Sequence, residues 1–343
     1  MSSPGLKSFA AAGRVGLVLL WVISRPAIAQ PRDAALVYVP PPVPEGLETI
    51  EFYSPAVDRG MKFDIVLPEN YAESDERYPV LYLLHGYMQN YTIWGRNLGA
   101  AFYARNLGGL ILVVPDGGNT WFVNYALSEN NQKNDWEDYL IQDLVGYVDG
   151  HYRTLATREG RAIAGLSMGG YAAITLGLRH PAMFVSLGST SGALGYARDQ
   201  AELLRQGLTP QPQQRPAEIQ AQIDQADEYI SREIAIPGFS TQKERTPAGA
   251  AFITAEQAEA YDPYTIIYDV PKNQLPHFYI DSGTEDGAVA DAREFMGILL
   301  INNVAFDFMQ SRGRHNAEYW RRSIGHMMTI QYEIMQRALG NRP

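Results

Sequence analysis

The sequence predicts an α/β fold built on a mostly parallel, doubly wound sheet, and three observations carry that prediction. Short apolar runs alternate with helix-periodic stretches along most of the chain, the pattern of strands joined by crossover helices. Gly165-Leu166-Ser167-Met168-Gly169 stands between a strand-like run, Arg161–Ala164, and a helix-like run, Gly170–Leu176. In that strand–turn–helix setting a G-x-S-x-G pattern lifts a serine hydroxyl above the end of a sheet. The chain has 343 residues, 46% of them hydrophobic, which is enough for one large core.

Taken in order, the elements read as follows. Residues 1–29 form a targeting segment: Lys7 and Arg14, an apolar run from Val15 to Ile23, and Ala27-Ile28-Ala29 as a small-residue cleavage site before Gln30. The apolar run is too short to span a bilayer, so the expectation is a secreted or periplasmic protein with no stable membrane insertion after cleavage. Residues 30–47 contain Val39-Pro40-Pro41-Pro42-Val43-Pro44, an extended Pro-rich linker. A single domain is expected over 48–343. Thr49–Tyr53 and Lys62–Leu67 alternate like opening strands, and Tyr78–Leu84 and Leu110–Val114 read as buried parallel strands. Between Asp135 and Tyr152 an amphipathic helix carries Trp136, Leu140, Leu144 and Val148 at a spacing of four. Phe184–Gly188, Phe278–Asp281 and Val304–Met309 are further strands, and Glu318–Leu339 is a last helix. The rhythm breaks from about residue 193 to 275, an insertion with a helix placing Ile219, Ile223, Ile230 and Ile234 on one face. It reads either as a helical cap over the site or as a surface elaboration.

Charge and cysteine content exclude several functions. The formal charge is −10, and −13 once Lys7, Arg14 and Arg25 leave with the targeting segment. Such an acidic protein is not built to seek nucleic acid or anionic membranes. The chain has no cysteine, which rules out disulfides, thiol nucleophiles and thiolate metal sites. Asp138, Asp143 and Asp149 share a helix without matching histidines, and read as a solvated face rather than a metal site.

The chemistry centres on Ser167. A serine hydroxyl needs a histidine to take its proton and a carboxylate to hold that imidazole. In this setting the chain order is serine, acid, histidine. His85, His151, His180 and His277 are excluded by order or by placement at an element's end, leaving His315 and His326. His315 lies in the polar loop Gln310–Asn316 after the last strand, whereas His326 falls inside the last helix, so His315 is the candidate base. The acid should come from Asp281-Ser282-Gly283-Thr284-Glu285-Asp286-Gly287. Asp281 ends a strand and reads as a turn cap; Asp286 is the first candidate and Glu285 the second. An oxyanion hole requires two backbone N–H groups. Met168 supplies one, and Tyr87, after His85-Gly86, the other. Tyr87, Tyr91, Trp94, Trp121, Phe122 and Tyr125 gather near the loops of the expected pocket, with Trp94 and Trp121 as candidate substrate contacts.

Tyr82-Leu83-Leu84-His85-Gly86, Gly165–Gly170, Gly283-Thr284-Glu285-Asp286 and His315 with Trp320 together resemble the putative-esterase (esterase D-like) family of α/β-hydrolases. That group contains feruloyl and acetyl-xylan esterases, S-formylglutathione hydrolases and mycolyltransferases. The resemblance runs over about residues 48–340, interrupted by the insertion. It implies the α/β-hydrolase fold, places the triad aspartate on Asp286 by the Gly-Thr-x-Asp match, and places the histidine on His315. Arg314 departs from the glycine that relatives often carry before that histidine. The implied activity is that of a serine carboxylester hydrolase using no metal or cofactor, on a small-molecule or carbohydrate-linked ester of feruloyl or acetyl type. An acyltransferase of the mycolyltransferase type uses the same residues, and a non-catalytic ester- or carbohydrate-binding protein is the reading from another class.

Overall fold

The computed structural model describes residues 43–208 and 245–341. The expected targeting segment, most of the Pro-rich linker and the helix of Ile219 to Ile234 lie outside the described residues. The apolar runs become strands of one sheet: β1 (Leu47–Ser54), β2 (Arg59–Val66), β3 (Val80–Leu84), β4 (Ile111–Pro115), β6 (Arg161–Leu166), β7 (Ser186–Thr190), β9 (His277–Gly283) and β10 (Phe306–Ser311). Their order is β1-β2-β4-β3-β6-β7-β9-β10. β1 and β2 pair antiparallel with each other, and β2 antiparallel with β4, while every other neighbour is parallel. The short β5 (Leu127–Ser128) and β8 (Gly249–Ala250) form a separate antiparallel pair.

The helices are α1 (Ala100–Asn106), α2 (Trp136–Asp138), α3 (Val145–His151), α4 (Met168–Arg179), α5 (Tyr196–Arg205), α6 (Ala255–Glu259), α7 (Pro263–Ile266), α8 (Val289–Ile301) and α9 (Ala317–Ala338). Two cores flank the sheet, as a doubly wound fold requires. Val80, Tyr82 and Leu84 of β3 face α3, α4 and α8, whereas Leu81 and Leu83 face α1 and α9. Alternate residues of a strand point to opposite faces, so a wholly apolar strand needs a helix layer on each.

Between α2 and α3 the chain makes a π-helical stretch, Tyr139–Leu144. Residues placed every fourth position drift by about 40° per step around an ordinary 3.6-residue helix. The wider π turns absorb that drift, so Trp136, Leu140, Leu144 and Val148 all stay buried on the sheet. Asp143 and Asp149 of this helix are not part of a solvated face. Asp143 accepts from Ser54 Oγ (2.5 Å) and Ala56 N (2.9 Å), and Asp149 accepts from Thr154 Oγ1 (2.6 Å) and pairs with Arg161. These bonds fasten the helix to the strand ends beside it.

β7 and β10 begin two residues later than their apolar runs suggested. Apolarity marks burial, whereas the ladder extends into Ser189-Thr190 and Gln310-Ser311, polar residues at the carboxyl ends of the strands. Those ends carry the site. No helix among the described residues is long and apolar enough to cross a membrane.

Candidate active site

Ser167 occupies the turn between β6 and α4 with φ +51° and ψ −116°, a backbone conformation that L-residues rarely adopt. The flanking glycines make the turn possible. A Cβ on Gly165 would lie 2.4 Å from the carbonyl carbon and oxygen of Gly169, and one on Gly169 would lie 2.5 Å from the carbonyl oxygens of Leu84 and His85. Ser167 N donates to Thr190 O (3.1 Å), and its carbonyl accepts from Tyr171 N (3.0 Å), which starts the ladder of α4.

Two loops bring the partners. Thr284 N donates to Ser311 O (2.9 Å) and Glu285 N to Gly313 O (2.8 Å), lacing the loop after β9 to the loop after β10. Asn316 caps α9 by accepting from Tyr319 N (3.1 Å) and so fixes where the second loop ends. Within this frame His315 Nε2 lies 3.0 Å from Ser167 Oγ, and His315 Nδ1 lies 3.1 and 3.2 Å from the carboxylate oxygens of Asp286. Trp320 meets the His315 ring edge-on at 5.2 Å, and its Nε1 donates to Ser191 Oγ (3.1 Å). Asp286 is buried. Burial opposes its ionisation, but His315, the Ser191 hydroxyl and Ala288 N–H together hold its carboxyl below the usual range.

The structure thus brings together Ser167, His315 and Asp286, and sets Glu285 apart. Glu285 turns outward between Arg312 and Arg314, at 3.3 and 2.9 Å. Arg314 is thereby committed to an ion pair beside the histidine. Asp281 is not a turn cap. It lies fully buried within β9, accepts from Thr190 Oγ1, and is pushed up to about 7 by burial. His326 sits in α9 against Tyr279, and His180 caps α4, bonded to Glu137 at 2.6 Å. His85 is a loop support: Nδ1 lies 2.8 Å from Gly86 O, and Nε2 accepts from Gly117 N (2.9 Å).

Met168 N opens α4, where a helix has no internal acceptor for its first amides. On the opposite side, Gly86 N donates to Gln89 Oε1 (2.8 Å) and Met88 N to Asn119 Oδ1 (2.7 Å). These bonds fix the backbone on both sides of Tyr87. Trp94, expected as a substrate contact, is wholly buried on the far side of the sheet, its Nε1 donating to Leu84 O (2.8 Å). Its position one turn after the loop placed it near the site in sequence, but the turn Ile93–Asn97 carries it into the core. Trp121 does lie near, 6.0 Å from the Tyr87 ring, with Tyr196 of α5 stacked on it at 3.5 Å. Phe122 is core. Sequence reasoning missed Ser191, Asn119 and the buried Glu137. The signal that points toward Asn119 is the turn run Pro115-Asp116-Gly117-Gly118 just before it, at the carboxyl end of β4 where ligand-facing loops begin.

A strained serine turn at the carboxyl end of a central parallel strand, on this sheet order, defines an α/β-hydrolase. More closely, the chain belongs to the esterase family described as "Putative esterase", whose model matches residues 54–329, a family of carboxylic ester hydrolases. It is 34% identical over 155 residues to Esterase Rv1288 of Mycobacterium tuberculosis (strain ATCC 25618 / H37Rv), a stretch covering 43% of this chain and 32% of that relative. The matched stretch is thus about a third of that relative's length. With the diacylglycerol acyltransferase/mycolyltransferase Ag85A of the same strain it shares 26% identity over 310 residues, 87% of this chain and 82% of the other. A solved ferulic acid esterase superposes with a TM-score of 0.60 at 20% identity, covering 84% of this chain and 98% of that one, a likeness of fold.

Proposed function

We propose that this chain is an exported serine carboxylester hydrolase working through an acyl-enzyme on a small-molecule or carbohydrate-linked ester. One observation carries the reading: the unbroken relay from Ser167 Oγ through the two His315 nitrogens to the Asp286 carboxylate. His315 Nε2 takes the hydroxyl proton as Ser167 Oγ attacks the ester carbonyl. Asp286 holds Nδ1–H, fixing the ring and stabilising the imidazolium. The carbonyl oxygen gains its negative charge between Met168 N–H and Tyr87 N–H. As the intermediate collapses, His315 gives the proton to the departing alcohol. Water then repeats the sequence on the acyl-serine, releasing the acid and restoring Ser167. The Tyr87 and Trp121 rings, 6.0 Å apart, would then offer an apolar wall to an acyl or aryl group. Export rests on the targeting segment of residues 1–29.

The test is hydrolysis of p-nitrophenyl esters, from acetate to a long acyl chain, by wild type and Ser167→Ala. Loss of at least about 10³-fold in kcat in the variant is expected. A folded variant with undiminished turnover overturns the reading. Acyl transfer to a sugar is the second reading, favoured by the 310-residue match to a mycolyltransferase. It predicts faster p-nitrophenol release and an acylated sugar when a sugar acceptor is added.

A further inference from the structure

Asn119 is 2% exposed and ties its own loop to two others, at Met88 and at Arg245-Thr246. Its Oδ1 accepts from Met88 N (2.7 Å), its Nδ2 donates to Thr246 Oγ1 (3.2 Å), and its own N–H donates to Arg245 O (3.1 Å). The first of these bonds lands one residue beyond Tyr87. Met88 has φ +64°, a left-handed conformation that a side-chain-bearing residue keeps only when its surroundings impose it. Asn119 supplies that constraint.

The segment carrying Asn119 is itself tightly held. Gly117 N donates to His85 Nε2 (2.9 Å), and the Arg245 guanidinium pairs with Asp116, whose carboxylate lies 3.5 Å from the same His85 nitrogen. Gly118 has φ +55°, and a Cβ there would lie 2.8 Å from Arg245 O, so residues 116–119 and 245 approach as closely as backbone allows. Arg245 and Thr246 lie within the insertion of about residues 193–275, and the pairing of β5 with β8 seats the residues that follow them. Burial opposes charge on Asp116, yet the paired Arg245 guanidinium holds its carboxyl below the usual range.

We propose that Asn119 is a positioning residue for the oxyanion donor at Tyr87, and that Arg245 and Thr246 hold Asn119 in place, so that seating of this part of the insertion sets the oxyanion hole. This rests on the hydrolase reading above. A donor displaced by a fraction of an ångström still admits the substrate but meets the developing charge poorly. The signature is therefore in kcat rather than KM.

The experiment compares wild type, Asn119→Ala and Thr246→Val on one p-nitrophenyl ester, with a trifluoromethyl ketone as an analogue whose serine adduct carries the oxyanion. For Asn119→Ala, kcat should fall about 10- to 100-fold with KM within about twofold, and the ketone should bind weaker by a similar factor. For Thr246→Val, kcat should fall several-fold with KM again unchanged. Folding is checked by thermal melting. An Asn119→Ala protein that melts earlier but keeps its kcat overturns the inference, since that is the mark of a merely structural bond. If Asn119→Ala does not fold, Thr246→Val decides, and an unchanged kcat there overturns it equally. Ser167→Ala run alongside separates the two readings. Serine-independent turnover sinks the hydrolase mechanism itself, whereas serine-dependent turnover with unaltered variants sinks only the role of Asn119.

Discussion

Asp281 and Asp286 belong to one strand and its loop, and their surroundings push them in opposite directions. Asp286 meets a histidine, a hydroxyl and a backbone amide, and stays ionised. Asp281 meets burial first, only partly offset by the Thr190 hydroxyl, and its carboxyl rises to about 7. An unfolded aspartate titrates near 3.9, so between about pH 4 and pH 7 the folded chain holds a proton that the unfolded chain has lost. Stability that is fully present below that window drains away as pH rises through it. Asp281→Asn removes the titrating group and keeps an acceptor for Thr190. The variant should therefore gain on wild type with rising pH, its melting temperature higher by a few degrees at pH 8 relative to the difference at pH 5. A pH-independent difference between the two proteins would show that Asp281 is ionised in the fold. Sequence told Asp286 from Asp281 but set Asp281 at a turn, because strand end and strand interior look alike until the ladder of β9 with β7 and β10 is known.

Among elements, the β6–α4 junction was the most legible, since its glycines answer a steric demand that any strand–serine–helix turn makes. The demand is sharp enough to test. Gly169→Ala would drive a Cβ against two carbonyl oxygens of the β3 end, backbone that cannot swing aside. It should destabilise the protein by about 2 kcal/mol or more and lower activity with it, measured by denaturant unfolding and ester hydrolysis. An alanine variant of wild-type stability would mean the junction is looser than described. The strands of the main sheet and the helices of 135–152, after Ser167 and at 318–339 were legible because period-two and period-four patterns are imposed by burial, whereas α1, α5 and α8 were not read from the sequence. Trp94 was misplaced for a related reason: an aromatic next to a loop is as apparent in sequence whether it faces the pocket or the opposite core. The fastening role of Asp143 was equally hidden, since its partner Ser54 is 89 residues away in sequence.

Across the whole molecule, Glu137 ties three regions together. It begins the long helix, pairs with Arg179 (2.9 Å) and His180 (2.6 Å) at the end of α4, and accepts from the Tyr261 hydroxyl in the flank of the insertion. Burial opposes its charge, but His180, Arg179 and Tyr261 prevail and bring its carboxyl down to about 2. This contribution is present above the unfolded value near 4.3 and is lost as pH falls toward 2. Glu137→Gln should lower stability by about 3 kcal/mol at pH 7, with the gap to wild type closing below about pH 4. A constant gap down to pH 3 would count against this clamp.

The relay described above also sets a schedule for the newly made chain. Ser167 and His315 lie 148 residues apart, and Asp286 and His315 only 29. The acid and base arrive together on the last two strands, long after the elbow serine has been synthesised. Parallel strands with crossover helices are joined slowly, each waiting for a distant partner. On the proposed mechanism, the serine has no base until β9 and β10 dock beside β7. On that mechanism, a chain stopped short of β10 would carry its nucleophile in harmless form, and the docking of β9 and β10 would be the event that arms it.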